Sequence, residues 1–282
     1  MGGWFATFLK ENGYKVTVYD RNERAAKNLS RRQRLRFVAD LNRAATEAQL
    51  IILATPTRVT KRLLEQIQIN AKSNASIVEI SSIKTPIKST ISKLQKKGTP
   101  ILSIHPMFGP GAKTIAGRVV LTSVIPTNNR VAQQFLSLLK KNGAKLIQCS
   151  LKDHDKLVSI ILALPHFMNI VFVNSLMALS VNPDRIRTLA GTTFKLQLLI
   201  AEAIYQEGNE NVLSILVDNA HSLSTLKKLA QETASLLDAI ENHRTRTLVR
   251  SLANGHKFIS KEKGFSTSYG RFNEAVEVSS RR

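Results

Sequence analysis

Short β-rich runs separated by helix-length segments fill the first half of the chain, and this alternation restricts the fold more than any other feature. Residues 15–19 (KVTVY), a short run at Phe37 and Val38, 50–54 (LIILA), 76–80, 101–104, 119–122 and 145–147 read as strands. Residues 2–12, 22–34, 41–48, 57–68, 85–95 and 131–141 read as the helices around them. The 50–54 run is apolar throughout, as a strand covered on both faces requires. Strands alternating with helices of this length predict a parallel, doubly wound α/β sheet. In residues 2–12, Trp4, Phe5, Phe8 and Leu9 fall at helical spacing, and Gly13 is the glycine that ends such a helix.

From Lys152 onward the strand signal fades. Residues 153–179 form a long apolar helical stretch with a break expected at Pro165, and 184–190, 194–205, 211–219 and 223 to about 252 continue the helical pattern. The expected organisation is a Rossmann-like dinucleotide-binding domain over 1–150, an all-helical domain for substrate binding and dimerisation over 151–258, and an irregular tail over 259–282. Phe265, Tyr269 and Phe272 stand in that tail among Ser, Gly and Lys. The dimer expectation rests on fold-level analogy.

In a dinucleotide-binding fold the pyrophosphate sits at the N-terminus of the first helix, and an acidic residue about 20 positions on holds the ribose hydroxyls. Asp20 stands in that place. An acid there repels a 2′-phosphate and favours NAD, whereas Arg21 and Arg24 beside it suit NADP. The G-x-G-x-x-G fingerprint belongs between a first strand and helix 2–12, and here only Gly2 is left to be its last glycine. Thr55 and Pro56, at the carboxyl end of the 50–54 strand, join Gly2 and Asp20 as cofactor-binding candidates. The fold is thus Rossmann-like with its first strand missing. Losing a central strand leaves buried backbone groups unpaired at roughly 1–3 kcal/mol each. The natural protein is therefore expected to start upstream, with Met1 an internal methionine.

Lys and Arg number 41 against 20 Asp and Glu, a net charge of +21. The densest cluster, Arg31, Arg32, Arg34 and Arg36, reads as a solvated helix face. No nucleic-acid-binding aromatic motif, zinc-finger spacing or basic zipper accompanies it, so nucleic acid is not the expected partner. The charge suits small anionic substrates instead. Cys149 is the only cysteine, which excludes an intrachain disulfide and a thiolate zinc site and fits a reducing compartment. No apolar run reaches the roughly 18 residues of a membrane span, and no signal-peptide pattern opens the chain. A cytoplasmic protein without a membrane segment is expected.

Four positions outside the nucleotide motif carry chemistry. Ser81-Ser82-Ile83-Lys84 and His105-Pro106-Met107-Phe108-Gly109-Pro110 each follow a buried-type strand, at the sheet edge where open α/β folds bind ligands. The ordinary pKa of histidine suits His105 to accept a proton from an alcohol. His154 is expected at the surface, and His166, between Pro165 and Phe167, either in the core or at a pocket. Lys195 is a cation within an apolar helix, suited to a carboxylate if it faces a pocket. No metal-ligand spacing is present.

Met1-Gly2-Gly3-Trp4-Phe5, the Ser82-Ile83-Lys84 turn, the His105–Pro110 loop and Leu164-Pro165-His166 together resemble the prephenate dehydrogenases, microbial and particularly archaeal members, in order from residue 1 to about 250. The resemblance implies oxidative decarboxylation of prephenate to 4-hydroxyphenylpyruvate in tyrosine biosynthesis, with NAD or NADP as acceptor. It implies His105 and Ser82 as catalytic residues, the first accepting the proton of the ring hydroxyl and the second orienting the histidine. It places His166 at the substrate pocket. Lys195 falls where many relatives carry a carboxylate-binding arginine, and a point charge there replaces a bidentate fork; Arg185 and Arg187 are the other candidate cations. Prephenate as substrate and a homodimer formed through the helical domain follow from the same resemblance. The alternatives are an arogenate dehydrogenase, or a non-catalytic degenerate Rossmann-like protein that binds nucleic acid or a partner.

Overall fold

A computed structural model describes residues 1–280, which fall into two compact units. The first takes Met1–Val158 and Leu213–Ala220, and the second takes Ser159–Val212 with the described residues from His221 on. A segment from the helical half, Leu213–Ala220, thus belongs to the first unit.

The first unit runs α1 (Gly2–Glu11), β1 (Thr17–Val18), α2 (Glu23–Gln33), β2 (Arg36–Phe37), α3 (Leu41–Glu47), β3 (Leu50–Leu53), α4 (Thr57–Asn70), β4 (Ser76–Glu79), α5 (Lys88–Lys96), β5 (Ile101–Pro106), β6 (Val119–Val124), α6 (Arg130–Lys141), β7 (Lys145–Gln148) and α7 (His154–Val158). β1 and β2 pair in parallel as a two-stranded sheet, and β3 to β7 form a separate five-stranded sheet in sequence order. β3, β4 and β5 are parallel, whereas β6 runs antiparallel to β5 and parallel to β7. The all-parallel expectation is corrected here for a physical reason. The link 107–118 contains no helix to carry the chain back across the sheet, so β6 returns in the opposite direction.

Every residue of β4 and β5 is buried, and their side chains alternate between two cores. Val78, Leu102 and Ile104 pack with Phe5, Phe8 and Leu9 of α1 and with Phe135 and Leu139 of α6. Ile77 and Ile101 pack with Leu64 and Ile67 of α4 and with Ile91 and Leu94 of α5. This double winding is what the apolar runs predict. Asn22, Asp40 and Asn129 start α2, α3 and α6 by accepting from the N–H of Ala25, Arg43 and Ala132. Trp4 fastens the loop that follows β5: its indole N–H donates to the Ala112 carbonyl at 2.7 Å, and its ring meets Phe108 edge-on at 4.9 Å between centroids.

The second unit begins with a π-helical turn, Ser159–Ala163, that runs into α8 (Leu164–Ala178). The helix expected to break at Pro165 instead widens just before it. Proline lacks an N–H and crowds the carbonyl four residues back, and a π-turn relieves both. α9 (Pro183–Leu189), α10 (Thr192–Gln206), α11 (Asn209–Leu213), α12 (Ser222–Glu241) and α13 (Thr245–Ile259) follow. The single helix expected from 223 to about 252 is interrupted at Asn242–Arg244, where His243 takes a left-handed φ of 48° and Arg244 folds back onto Asp238. The irregular tail expected over 259–282 is also corrected over 259–280, residues 281–282 lying outside the described ones. It holds a short 3₁₀ turn at Phe265–Thr267 and then α14 (Ser268–Ser280), which packs on α10 with Val276 buried.

The run His154–Ala178 contains an 18-residue window of mean hydropathy 1.9 and is long and apolar enough, by length and composition, to cross a membrane. This corrects the expectation that no segment reaches that length. Five of its polar side chains, His154, Asp155, Ser159, His166 and Asn169, are buried, each with a protein hydrogen-bond partner, whereas Lys156, Asn174 and Ser175 are exposed and 28% of the apolar window is buried. A core helix passes the same test of composition.

Candidate active site

The carboxyl ends of the parallel strands β3, β4 and β5 bring Thr55, Pro56, Ser81, Ser82 and His105 onto one sheet edge. Thr55 and Pro56 follow β3 and open α4, with the Thr55 hydroxyl 2.9 Å from that of Thr60. Gly2 sits beside the same strand end, where a Cβ added to it would stand 3.4 Å from the Cβ of Ala54. Asp20 lies just past β1, exposed, with Oδ1 accepting the Asn22 N–H at 2.8 Å. Ser81 and Ser82 lie just beyond β4, and His105 lies near the end of β5. Glu79 pairs with Ser103 at the end of β4, two residues before Ser81 on one strand and His105 on the other. The register of β5 against β6 shifts between Ser103 and Ile104, immediately before the histidine; such irregularities re-aim side chains at sites.

His105 is buried, and its Nδ1 lies 3.1 Å from Nε2 of His154. This is the one side-chain hydrogen bond of His105 among the described residues, and its Nε2 is uncommitted. Burial pushes the His105 imidazole well below the ordinary 6.5, with His154 and the Lys84 ammonium pushing the same way and Asp155 opposing them more weakly. His154, expected at the surface, is instead fully buried at the start of α7. Its Nδ1 meets Asp155 Oδ1 at 2.7 Å. Asp155 also accepts from the N–H of Lys84 at 2.8 Å and from the N–H and hydroxyl of Thr85. Burial alone would raise the Asp155 pKa, but hydrogen bonds from His154, Thr85 and the Lys84 N–H outweigh it and hold the group at about 2.

Lys84 closes the site from beneath. Its side chain is 0% exposed, its Nζ lies 2.5 Å from Glu79 Oε1 and 2.8 Å from the Ile104 carbonyl. Glu79 also accepts from the Ser103 hydroxyl and, at 2.9 Å, from the Ser81 N–H. Burial lowers the Lys84 pKa and the Glu79 charge offsets part of that. This ion pair ties the strand ends that carry Ser82 and His105. The sequence hid His154, Asp155 and Glu79 because each has a partner far along the chain: His105 is 49 positions from His154, Lys84 is 71 from Asp155 and Ser103 is 24 from Glu79.

His166 and Lys195 belong to the second unit, on α8 and α10, helices joined by a 2.7 Å bond from Gln197 Nε2 to Asn169 Oδ1. His166 is buried, with Nδ1 2.7 Å from the Leu162 carbonyl of the π-turn and Nε2 3.3 Å from Glu207 Oε2. Burial lowers the pKa of this ring, yet the hydrogen bond and charge of Glu207 and the Leu162 carbonyl outweigh it and raise the net value. Lys195 is exposed, as is Arg185, while Arg187 pairs with Glu202. No group of three or more His, Cys, Asp or Glu that would hold a metal occurs among the described residues.

Residues 5–148 match the family described as "Prephenate dehydrogenase, nucleotide-binding domain", and residues 150–254 match "Prephenate dehydrogenase, dimerization domain". A Methanocaldococcus jannaschii protein named "Probable arogenate/prephenate dehydrogenase" is 25% identical over 264 residues, covering 93% of this chain and 59% of that protein. The "T-protein" of Haemophilus influenzae is 24% identical over 247 residues, covering 86% of this chain and 60% of its own length. The chain thus spans about three fifths of the length of these curated relatives. Among solved structures, prephenate dehydrogenase from A. aeolicus in complex with hydroxyphenyl propionate and NAD+ superposes with a TM-score of 0.73 at 16% identity, over 93% of this chain and 95% of that one. Synechocystis arogenate dehydrogenase gives 0.68 at 21% identity, over 92% and 95%. At these identities the structural likeness bears on the fold, a nucleotide-binding unit followed by a helical one. The matched domains together cover most of the sequence, and the chain belongs to the prephenate dehydrogenase family.

Proposed function

We propose that the chain acts as a prephenate dehydrogenase, oxidising prephenate with loss of carbon dioxide to 4-hydroxyphenylpyruvate in tyrosine biosynthesis, with NAD as hydride acceptor. One observation carries this reading. A buried imidazole stands at the carboxyl edge of a nucleotide-binding sheet with Nδ1 engaged and Nε2 uncommitted among the described residues.

Removing hydride from a carbon that bears a hydroxyl builds carbonyl character, and a base that takes the hydroxyl proton lowers the barrier by about 10²–10⁴-fold in rate. His105 is that base, and Ser82 on the neighbouring strand end orients it. Departure of the ring carboxylate as carbon dioxide restores aromaticity, so alignment and charge are what the protein must supply. His166 and Lys195 meet the substrate's anionic groups. The N-terminus of α1 has no side-chain cap and no side chain on Gly2 or Gly3, which suits a pyrophosphate. Asp20 keeps an exposed carboxylate for the ribose, and Thr55 and Pro56 border the same edge. The bound nicotinamide supplies the hydride acceptor. Exposed apolar side chains on the second unit, among them Met177, Leu179, Leu237, Leu252 and Phe258, support a homodimer formed through it, in the cytoplasm.

The test is reduced-nicotinamide formation with prephenate and with arogenate, each with NAD and NADP. Turnover of prephenate with NAD is expected. Turnover of arogenate alone assigns the sister activity, and turnover of neither overturns the reading. Replacing Lys195 with Ala is expected to raise KM for prephenate with kcat little changed, since a ground-state carboxylate contact is lost. An unchanged KM moves that contact to Arg185 or another cation.

A further inference from the structure

Resting on the reading of His105 as the base, we infer that His154 and Asp155 are positioning residues that fix the tautomer of His105, so that its ring presents an unprotonated Nε2. The assignment follows from donors and acceptors taken in order. Asp155 receives the N–H groups of Lys84 and Thr85 and the Thr85 hydroxyl. A carboxylate on which these donors converge is ionised and only accepts. The Nδ1 of His154, 2.7 Å from Oδ1, therefore carries a proton. His154 is fully buried in a pocket that also holds the Lys84 ammonium, so its ring stays neutral and its Nε2 bears a lone pair. The Nδ1 of His105 lies 3.1 Å from that lone pair and must be the N–H that donates to it. A neutral imidazole has a single N–H, which leaves Nε2 of His105 as the proton acceptor.

The lock is built into the fold at both ends. Asn219 Nδ2 donates to the Asp155 carbonyl at 2.9 Å and holds the start of α7, while β5 holds His105. Without a partner at Nδ1, a ring is free to carry its proton on either nitrogen, and the Nε2–H form cannot accept the substrate's proton. When His105 becomes an imidazolium, its Nδ1–H still points at His154, with the Asp155 carboxylate behind as counter-ion. The charged groups around the pair are Asp155, Glu79 and Lys84.

Long-range proton–nitrogen NMR of the full chain labelled with ¹⁵N-histidine reads the tautomer directly, with the His105 signals identified by their loss in His105→Asn. In the unsubstituted protein Nδ1 is expected to be protonated and Nε2 not. His154→Gln, whose amide oxygen accepts from Nδ1–H, is expected to keep that pattern and most of the activity. His154→Leu is expected to give mixed tautomers and to lower kcat about tenfold or more, with KM for prephenate unchanged. A His105 protonated on Nε2 in the unsubstituted protein overturns the inference, as does an unchanged spectrum or an unchanged kcat in His154→Leu. Should the leucine variant not fold, the first two spectra decide. A locked ring in a protein that does not oxidise prephenate upholds the lock and overturns the substrate reading instead.

Discussion

Replacing His105 with Asn is expected to lower kcat by about 10²-fold or more, the low end of what a general base contributes, with cofactor Kd and thermal midpoint little changed. Asn is the informative choice because its amide N–H₂ can still donate to Nε2 of His154, 3.1 Å from the ring nitrogen it replaces. The buried partner stays satisfied while the proton acceptor is lost. Stopped-flow or steady-state rates with prephenate check this, and an unchanged kcat removes His105 from its role. The unsubstituted enzyme carries a related signature in pH. His105 works as the neutral base, and burial, then His154, then Lys84 lower its pKa. Activity is therefore expected to persist as pH falls through the ordinary imidazole value of 6.5 and to fail only below it. An acid limb at or above 6.5 would contradict the electrostatics of the site.

The largest effect on stability is expected at Lys84. Changing it to Met leaves the Glu79 carboxylate, 0% exposed in the native protein, without a counter-ion inside the sheet. Breaking a buried pair from one side costs about 3–5 kcal/mol, a large share of the roughly 5–15 kcal/mol that holds a domain folded. Urea unfolding of the single variant should show a lower midpoint with an unchanged slope, their product giving an unfolding free energy reduced by that amount. Adding Glu79→Gln should recover part of the loss, because the Ser103 hydroxyl and the Ser81 N–H still find an acceptor. A single variant within 1 kcal/mol of the unsubstituted protein, itself about a tenth of domain stability, would show that the pair is not structural. Loss of the ammonium also removes one of the charges that depress the His105 pKa, so the acid limb of activity should move upward in any Lys84 variant that folds.

The continuous apolar run 50–54 and the short β-rich runs after it made the sheet legible in sequence, because a strand covered on both faces is apolar along its length. The direction of β6 was legible too, since no helix is read between 101–104 and 119–122 and a helix-free link returns the chain antiparallel, but the alternation elsewhere in the unit overrode it. Ser82 and His105 could be placed together, as both follow buried strands and strand ends converge on one edge. His154 could not. One imidazole before an apolar helix looks solvent-facing until Asp155 is seen receiving the backbone of Lys84 and Thr85. The helix α14 was masked by Gly270 and its serines, although Phe272 and Val276 stand four apart, the spacing that seats α14 on α10. Glu207 gave no local signal either, because its partner His166 lies on a different helix.

The return of Leu213–Ala220 to the first unit makes the protein less modular than its two-part sequence suggests. Asn219 anchors the main chain at Asp155, and Asp218 pairs with Arg58 of α4 at 2.9 Å. A gene divided near codon 150 would therefore yield a nucleotide-binding fragment lacking its own keystone. Recombination that swaps helical halves between relatives must carry this eight-residue insert along with its host or rebuild the seat beneath it.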